Sequence, residues 1–282
     1  VILIDYNAIA ISNVIATKLQ VDENMIRHQI LNSIRIHRAK HTAKCGEVVI
    51  CCDAGNYWRK DDFPQYKHSR GKTRDTDKLD WDELFRIIEL VLAELRDNFP
   101  YKVIRIDRCE ADDIIAELCE YTQEFGQYER MMIISGDKDF AQLQKHDNIA
   151  QYAPVQRKFI KEDNAKGFLA EHILKGDAAD GIPNVLSQDD CFVEGIRQTP
   201  LRRKVVDQLL ADPNALGEGV YRNIQRNAKL IDLTQIPVSL KEQIINSFNS
   251  QRPAANKGKV LNYLIEKQCR LLIESAGDFV NG

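Results

Sequence analysis

Long apolar runs are missing from this sequence. No stretch approaches the roughly 18 consecutive apolar residues that a membrane-spanning helix needs. The opening Val1–Ile4 is too short for a secretory signal and has no basic segment before it. Paired C-x-x-C cysteines are missing too. The seven cysteines (Cys45, Cys51, Cys52, Cys109, Cys119, Cys191 and Cys269) are odd in number. They suggest neither a zinc site nor a thioredoxin-type motif, and read as free thiols in a reducing cytoplasm. Cys51, Cys52, Cys119 and Cys269 lie in apolar patterns and are expected as small core fillers. The six histidines are scattered and read as surface or core residues. Repeats and low-complexity tracts are absent. A basic excess is absent as well: 39 Lys+Arg face 42 Asp+Glu, a formal net charge of −3.

What is present is globular composition, 44% hydrophobic and 29% charged over 282 residues, enough for one large domain or two ordinary ones. Four short apolar runs end at acids. Val1–Ile4 leads to Asp5, Val48–Cys52 to Asp53, Val103–Ile106 to Asp107, and Met131–Ile134 to Ser135-Gly136-Asp137. Such unalternating, β-branched runs suit strands buried on both faces. Helical stripes lie between them: Ile26, Ile30, Leu31 and Ile34; Leu84, Ile87, Ile88, Val91, Leu92 and Leu95; Ile114, Ile115, Leu118 and Cys119. Alternating strands and helices predict an α/β fold with a mostly parallel central sheet flanked by helices. Past about residue 165 helical patterns dominate, at Phe168–Leu174, Leu201–Leu210, Ser239–Phe248 and Lys259–Leu272. Two regions are expected: an α/β domain over 1–165 and a smaller, mostly helical domain over 166–282.

One segment fits neither region. Tyr57–Arg74 carries Arg59, Lys60, Lys67, Arg70, Lys72 and Arg74 against only Asp61 and Asp62. It reads as an exposed basic insertion, spanning about 57–80, that rises from the top of the sheet. Its basic side chains suit phosphate contact and Tyr66 suits stacking on a base. Gly71-Lys72-Thr73 invites a P-loop reading, but Tyr66 stands where that motif needs glycine.

Ligands of open parallel sheets bind beyond the carboxyl ends of the strands, and here those ends carry acids. Asp5 and Asp53 follow the first two runs; Glu110, Asp112 and Asp113 open the helix after the third; Asp137 and Asp139 follow the fourth; Asp177 and Asp180 follow the Phe168–Leu174 helix. A lone acid after a strand is ordinarily a turn former or helix cap, which poorly explains acids at every strand end. Two like charges 4 Å apart repel by about 4 kcal/mol at an effective dielectric of 20, so crowding on this scale calls for cations. All-carboxylate sites prefer hard ions such as Mg²⁺ or Mn²⁺, and a pair of ions can activate water against a phosphodiester. Setting the nine acids aside leaves +6 on the remaining chain: a basic surface around an acidic pit, which suits a nucleic-acid substrate.

These motifs, in this order, resemble those of the 5′ nuclease (flap endonuclease) family, especially its phage members of the ribonuclease H type. The likeness runs from Ile4-Asp5 through Glu110-Ala111-Asp112-Asp113 and Ser135-Gly136-Asp137-Lys138-Asp139 to Gly176-Asp177-x-x-Asp180, and weakly to the C-terminus. It implies the PIN-like 5′-nuclease fold and two Mg²⁺ ions, for which Mn²⁺ can substitute. By the resemblance, Asp5, Asp53, Asp112 and Asp137 surround one ion with Glu110 nearby. Asp139, Asp177 and Asp180 hold the second, with Asp113 near both. Phe63-x-x-Tyr66-Lys67-x-x-Arg70 looks like the family's arch, with Lys67 and Arg70 neutralising the scissile phosphate while a 5′ strand passes. A duplex-gripping, K⁺-binding helix-hairpin follows the last acid in the family. Here Gly181–Val185 begins that pattern and Ser187–Phe192 does not continue it, so duplex binding is expected and a K⁺ site is not. Arg202, Arg203 and Lys204 read either as phosphate contacts or as an ordinary basic helix end.

The implied activity is 5′→3′ exonuclease and flap-endonuclease hydrolysis of RNA–DNA hybrids and of duplex or flap DNA by a monomer in the host cytoplasm. It would serve primer removal during phage lagging-strand replication, with a single-stranded-DNA-binding protein as partner. Two alternatives stand beside it. A catalytically silent DNA-junction binder would keep the basic arch. A haloacid-dehalogenase-type phosphatase would match Gly136-Asp137-x-Asp139, but needs Asp-x-Asp after the first strand, where this chain has Asp5-Tyr6-Asn7.

Overall fold

The computed structural model describes residues 1–17, 21–68, 70 and 79–280; Lys72 and Arg74 lie outside them. The first four apolar runs form β1 (Ile2–Asp5), β2 (Val48–Cys51), β3 (Lys102–Ile104) and β4 (Met131–Ile134). All four are buried along their whole length, as a sheet covered on both faces requires. The strand order is β3-β2-β1-β4-β5-β6, with β5 (Ile149–Ala153) parallel to β4 and β6 (Lys158–Ile160) antiparallel at the edge. The third strand stops two residues before the predicted Ile106, and β5 and β6 were not predicted. Ile149-Ala150-Gln151-Tyr152-Ala153 alternates between buried and half-buried positions, and Lys158-Phe159-Ile160 buries none of its residues. Neither has the continuous apolar signature of a central strand.

Alternate side chains of each strand feed separate cores. Ile2, Ile4, Val48 and Ile50 face α1 (Tyr6–Thr17), α2 (Glu23–Cys45) and α4 (Trp81–Asn98). Leu3, Val49, Cys51 and Ile133 face α5 (Ala111–Tyr121). The stripe Leu84, Ile87, Ile88, Val91, Leu92 and Leu95 is wholly buried. Its helix begins where the Asp80 side chain accepts from Glu83 N, at 3.0 Å. The four cysteines expected in the core are buried, and all seven are free thiols.

The later helices are α6 (Ala165–Lys175), α7 (Arg203–Ala211), α8 (Glu218–Ile231), α9 (Val238–Ser250), α10 (Lys257–Glu266) and α11 (Arg270–Ile273). They complete both cores. Leu240 and Ile244 of α9 join the α5 side, while Val260, Tyr263, Leu264, Leu272 and Phe279 close the α2/α4 side. The predicted Lys259–Leu272 helix is broken, with Gln268 at φ 54° between two pieces. Helix α8 was not predicted, because buried asparagines interrupt its apolar stripe. Asn227, fully buried, donates to Ile173 O (2.8 Å) and Pro183 O (2.9 Å), and Asn223 donates to Val185 O (2.9 Å). The basic residues Arg202–Lys204 stand at the start of α7, not at its end, and Arg203 pairs with Glu171 and Asp207 at 2.7 Å each.

The basic insertion departs from its reading as an exposed loop. Trp58, Arg59, Phe63 and Tyr66 are all 2–3% exposed. A short helix, α3 (Arg59–Asp62), starts the segment. Phe63 and Tyr66 then pack against Ile182, Leu230 and Ile231, so the foot of the insertion is part of the core.

Candidate active site

The strand order reverses between β1 and β4, and a crevice at such a switch point is the usual ligand site of an open α/β sheet. Asp5 is the last residue of β1. Its carboxylate accepts from Ser135 Oγ at 2.8 Å and from Ala8 N, in the first turn of α1, at 3.1 Å. Asp53 accepts from Asn7 Nδ2 (3.0 Å) and from Ala111 N at the start of α5 (2.8 Å). Asp112 is half-buried one residue further along α5, and Asp137 lies at the open rim. Beside Asp137 an open cleft of about 280 Å³ runs between Ala8, Ile9 and Ser12 on one side and Pro154–Gln156 on the other.

These four carboxylates have no ion-pair partner among the described residues, and their titration reflects it. Burial, then the charge of Asp53, push Asp5 up to about 7. Burial pushes Asp53 up. Burial, then Asp137 and Asp5, push Asp112 well above the carboxylate range. Crowding by surrounding protein and by Asp139 pushes Asp137 up to about 6.

A second group is compensated from the foot of the insertion. Lys67 forms an ion pair with Glu110 and lies 3.6 Å from Asp180; Arg70 Nη2 bonds Asp180 Oδ1 at 2.5 Å. Burial alone would lower the Lys67 ammonium, but Glu110 and Asp180 outweigh it and hold the group above its ordinary value. The backbone is tied as well. Lys67, at φ 57°, donates its N–H to Asp180 O at 2.8 Å. The turn that presents Asp177 and Asp180 depends on Gly176, at φ 68°, where a Cβ would lie 2.4 Å from Ile182 O. Asp177 and Ile182 can then exchange backbone hydrogen bonds of 2.8 and 2.7 Å.

Three expectations need correction here. Arg59 is not placed to touch phosphate. Its guanidinium is buried, bonded to Glu110 Oε2 (2.8 Å), to both oxygens of Asp113 (2.8 and 3.1 Å) and to Leu230 O (2.8 Å). Asp113 is not near either ion group in function. It is fully buried, and besides Arg59 it accepts from Trp58 Nε1 (3.1 Å) and Glu110 N (3.0 Å), so its charge is already neutralised by Arg59. Tyr66 does not present its ring for stacking: it is 3% exposed, with its hydroxyl 2.9 Å from Glu110 and 3.1 Å from Asp180. Lys60 stays exposed.

The third group is Asp139 and Asp177, joined by a residue that the sequence reading set aside. His172, in the last turn of α6, lies with Nε2 3.1 Å from Asp139 Oδ1 and 3.6 Å from Asp177 Oδ2. Lys138 Nζ is 3.0 Å from Asp177 Oδ2. Burial pushes Asp177 up, but Lys138 and His172 bring it below its ordinary value. The available signal was spacing: on a helix running into Gly176-Asp177, His172 stands one turn before the acid.

Known proteins match this arrangement along the chain. Residues 1–171 match the family model of the 5′-3′ exonuclease N-terminal resolvase-like domain, and residues 168–279 match that of the T4 RNase H C-terminal region. The chain belongs to the 5′-3′ exonuclease family. It is 34% identical to the ribonuclease H of Enterobacteria phage T4 over 98% of this chain and 95% of that protein. A bacteriophage T5 5′-exonuclease with bound zinc shares the fold at TM-score 0.65 and 15% identity, over 88% of this chain and 98% of that one. A T5 flap endonuclease solved as a pseudo-enzyme–product complex with DNA and metal ions shares it at TM-score 0.64 and 15% identity, over 88% and 97%. Family membership makes the chain a nuclease with a PIN-like fold. No helix among its described residues is long and apolar enough to cross a membrane.

The nuclease's donor set fits divalent cations. Four crowded carboxylates with no direct ion pair among the described residues form one group, and Asp139 Oδ1 and His172 Nε2 are buried without a hydrogen bond among the described residues. An acid whose pKa is raised on folding binds its proton more tightly in the folded state. It therefore destabilises the fold increasingly as pH climbs from the unfolded value near 4 towards the folded one, about 7 for Asp5. In EDTA the nuclease is expected to melt at a lower temperature at pH 8 than at pH 5.5. Millimolar Mg²⁺ should raise Tm by on the order of 5 °C at pH 8 and by much less at pH 5.5. Thermal melts at the two pH values check this; equal increments would mean these carboxylates do not take up the ion.

Proposed function

We propose that this chain is a Mg²⁺-dependent 5′→3′ exonuclease and flap endonuclease. It hydrolyses phosphodiesters near the 5′ ends of flap or forked DNA and of RNA in RNA–DNA hybrids, and serves primer removal in phage DNA replication. The observation that carries the reading is the convergence, at one switch point, of Asp5, Asp53, Asp112 and Asp137 with no direct ion pair among the described residues. Family membership, the T4 relative named a ribonuclease H, and the T5 neighbour bound to DNA and metal support it.

In this reading Asp5, Asp53, Asp112 and Asp137 hold one cation, and Asp139 and Asp177, with Asp180 beside them, hold a second. When bound, the cations supply positive charge for the phosphate and acidify a water. The chain's own residues do the rest. Asn7 and the α5 N-terminus fix one oxygen each of Asp53, and Ser135 and the α1 N-terminus fix those of Asp5, so both carboxylates are oriented before substrate arrives. Lys67 and Arg70, held at the pit by Glu110 and Asp180, are positioned to exchange a carboxylate for the incoming phosphate and to stabilise its developing charge. Exposed Lys60 guides the backbone of the 5′ strand, and the helical half docks the duplex. A silent junction binder would have no use for four uncompensated acids. A phosphatase of the haloacid-dehalogenase type lacks its second aspartate, since Asn7 instead holds Asp53.

Cleavage of a 5′-labelled DNA flap and of an RNA–DNA hybrid across a Mg²⁺ titration tests the proposal. Both substrates should be cut only with metal, releasing 5′-terminal products; cutting undiminished in EDTA would reject it. In the same assay Lys67→Ala should slow cleavage about 10²-fold while changing flap affinity less than threefold. The reverse pattern would make Lys67 a docking contact only.

A further inference from the structure

We propose that His172 is a nitrogen ligand in the second cation group, so that this position selects a borderline transition metal (Mn²⁺, Co²⁺ or Zn²⁺) over Mg²⁺. The inference rests on the two-cation reading above and refines one of its halves.

One oxygen each of Asp139 and Asp177 and a ring nitrogen of His172 lie within 4.8 Å of one another, close enough to meet on one ion. His172 is only 6% exposed. Its Nε2 lies 3.1 Å from Asp139 Oδ1, yet the two make no bond of hydrogen-bonding geometry, and both atoms are buried without a hydrogen-bond partner among the described residues. A buried polar group left without a partner has lost its solvation and gained no bond in return. Phe168, one turn earlier on α6, stacks on the imidazole ring at 5.7 Å and 21°. What remains is a nitrogen and two carboxylate oxygens within reach of one ion. Lys138, the other cation at Asp177, is 56% exposed and can swing into solvent.

The donor types decide the ion. Mg²⁺ takes oxygen ligands, whereas imidazole suits the later first-row metals. Asp5, Asp53, Asp112 and Asp137 bring no nitrogen, so the two groups differ in the one feature that separates hard from borderline ions.

The full chain is loaded with Mn²⁺ and examined by pulsed EPR for ¹⁴N coupling, then titrated with Co²⁺ by visible absorption and calorimetry, alongside His172→Gln and Asp139→Asn. Expected are ¹⁴N modulation in the unaltered protein, its loss in His172→Gln, and a 10- to 100-fold weaker Co²⁺ site with shifted bands. The Mn²⁺ measurement needs no variant, so it stands even if His172→Gln misfolds. Absence of ¹⁴N coupling in the unaltered protein, or identical Co²⁺ binding in His172→Gln, would overturn the assignment. If Asp139→Asn weakens Co²⁺ binding while His172→Gln does not, only the nitrogen ligand is lost. If neither does, the second cation group itself falls.

Discussion

Asp112→Asn is expected to lower flap cleavage by on the order of 10³-fold while leaving flap binding within a few-fold of the unaltered protein. Asparagine keeps the shape of aspartate and removes its charge, so the helix start that carries Asp112 is undisturbed. A second readout has the opposite sign. Burial and the charges of Asp137 and Asp5 hold Asp112 well above the carboxylate range, so the metal-free protein bears a repulsion that the substitution removes. Without divalent ions Tm should therefore rise. A residue needed only for the fold would lower both activity and Tm. Cleavage near the normal rate in Mg²⁺ would remove Asp112 from the catalytic set.

Arg59→Ala is expected to cost about 3–5 kcal/mol of stability, a fall in Tm of about 10 °C. The residue lies in the basic insertion, and its sequence context invites a phosphate-binding role. In the fold it joins three elements: the foot of the insertion, α5 through Glu110 and Asp113, and α8 through Leu230 O. Trp58 stacks against its guanidinium at 4.5 Å. Truncation leaves two buried carboxylates without their guanidinium, held by Lys67, Tyr66, Trp58 and the Glu110 N–H. Lys60→Ala next to it, on an exposed side chain, should stay within about 0.5 kcal/mol. Thermal melts of both variants decide the matter. Arg59→Ala with an unchanged Tm and weakened flap binding would restore the phosphate-contact reading.

The sequence showed the central strands because β1, β2 and β4 are buried on both faces and must be apolar throughout. The same runs end on the acids, which is why the position of the pit could be read before its geometry. The edge strands carried no such signal, since Lys158–Ile160 covers nothing. Helix α8 was masked by Asn223 and Asn227, polar residues that are buried because each caps carbonyls of the 183–185 turn. Arg59 and Asp113 looked like site residues because charge in a sequence does not reveal its partner. Only the fold, bringing positions 59 and 113 together, shows that they neutralise each other. His172 was overlooked for the converse reason: a single histidine acquires meaning from carboxylates that arrive from elsewhere in the chain.

Leu240 and Ile244 on one face of the sheet, and Val260, Leu264, Leu272 and Phe279 on the other, complete cores most of whose other members lie before residue 150. During synthesis, then, the sheet leaves the ribosome covered only by its early helices, α1, α2 and α4 on one face and α5 on the other. At roughly 5–20 residues per second, the hundred or so residues between Ile149 and the last helices take about 5–20 s to appear. Packing of both cores is completed only after the later helices appear. The sheet whose ends carry the acids reaches its full packing only once these later helices have been made.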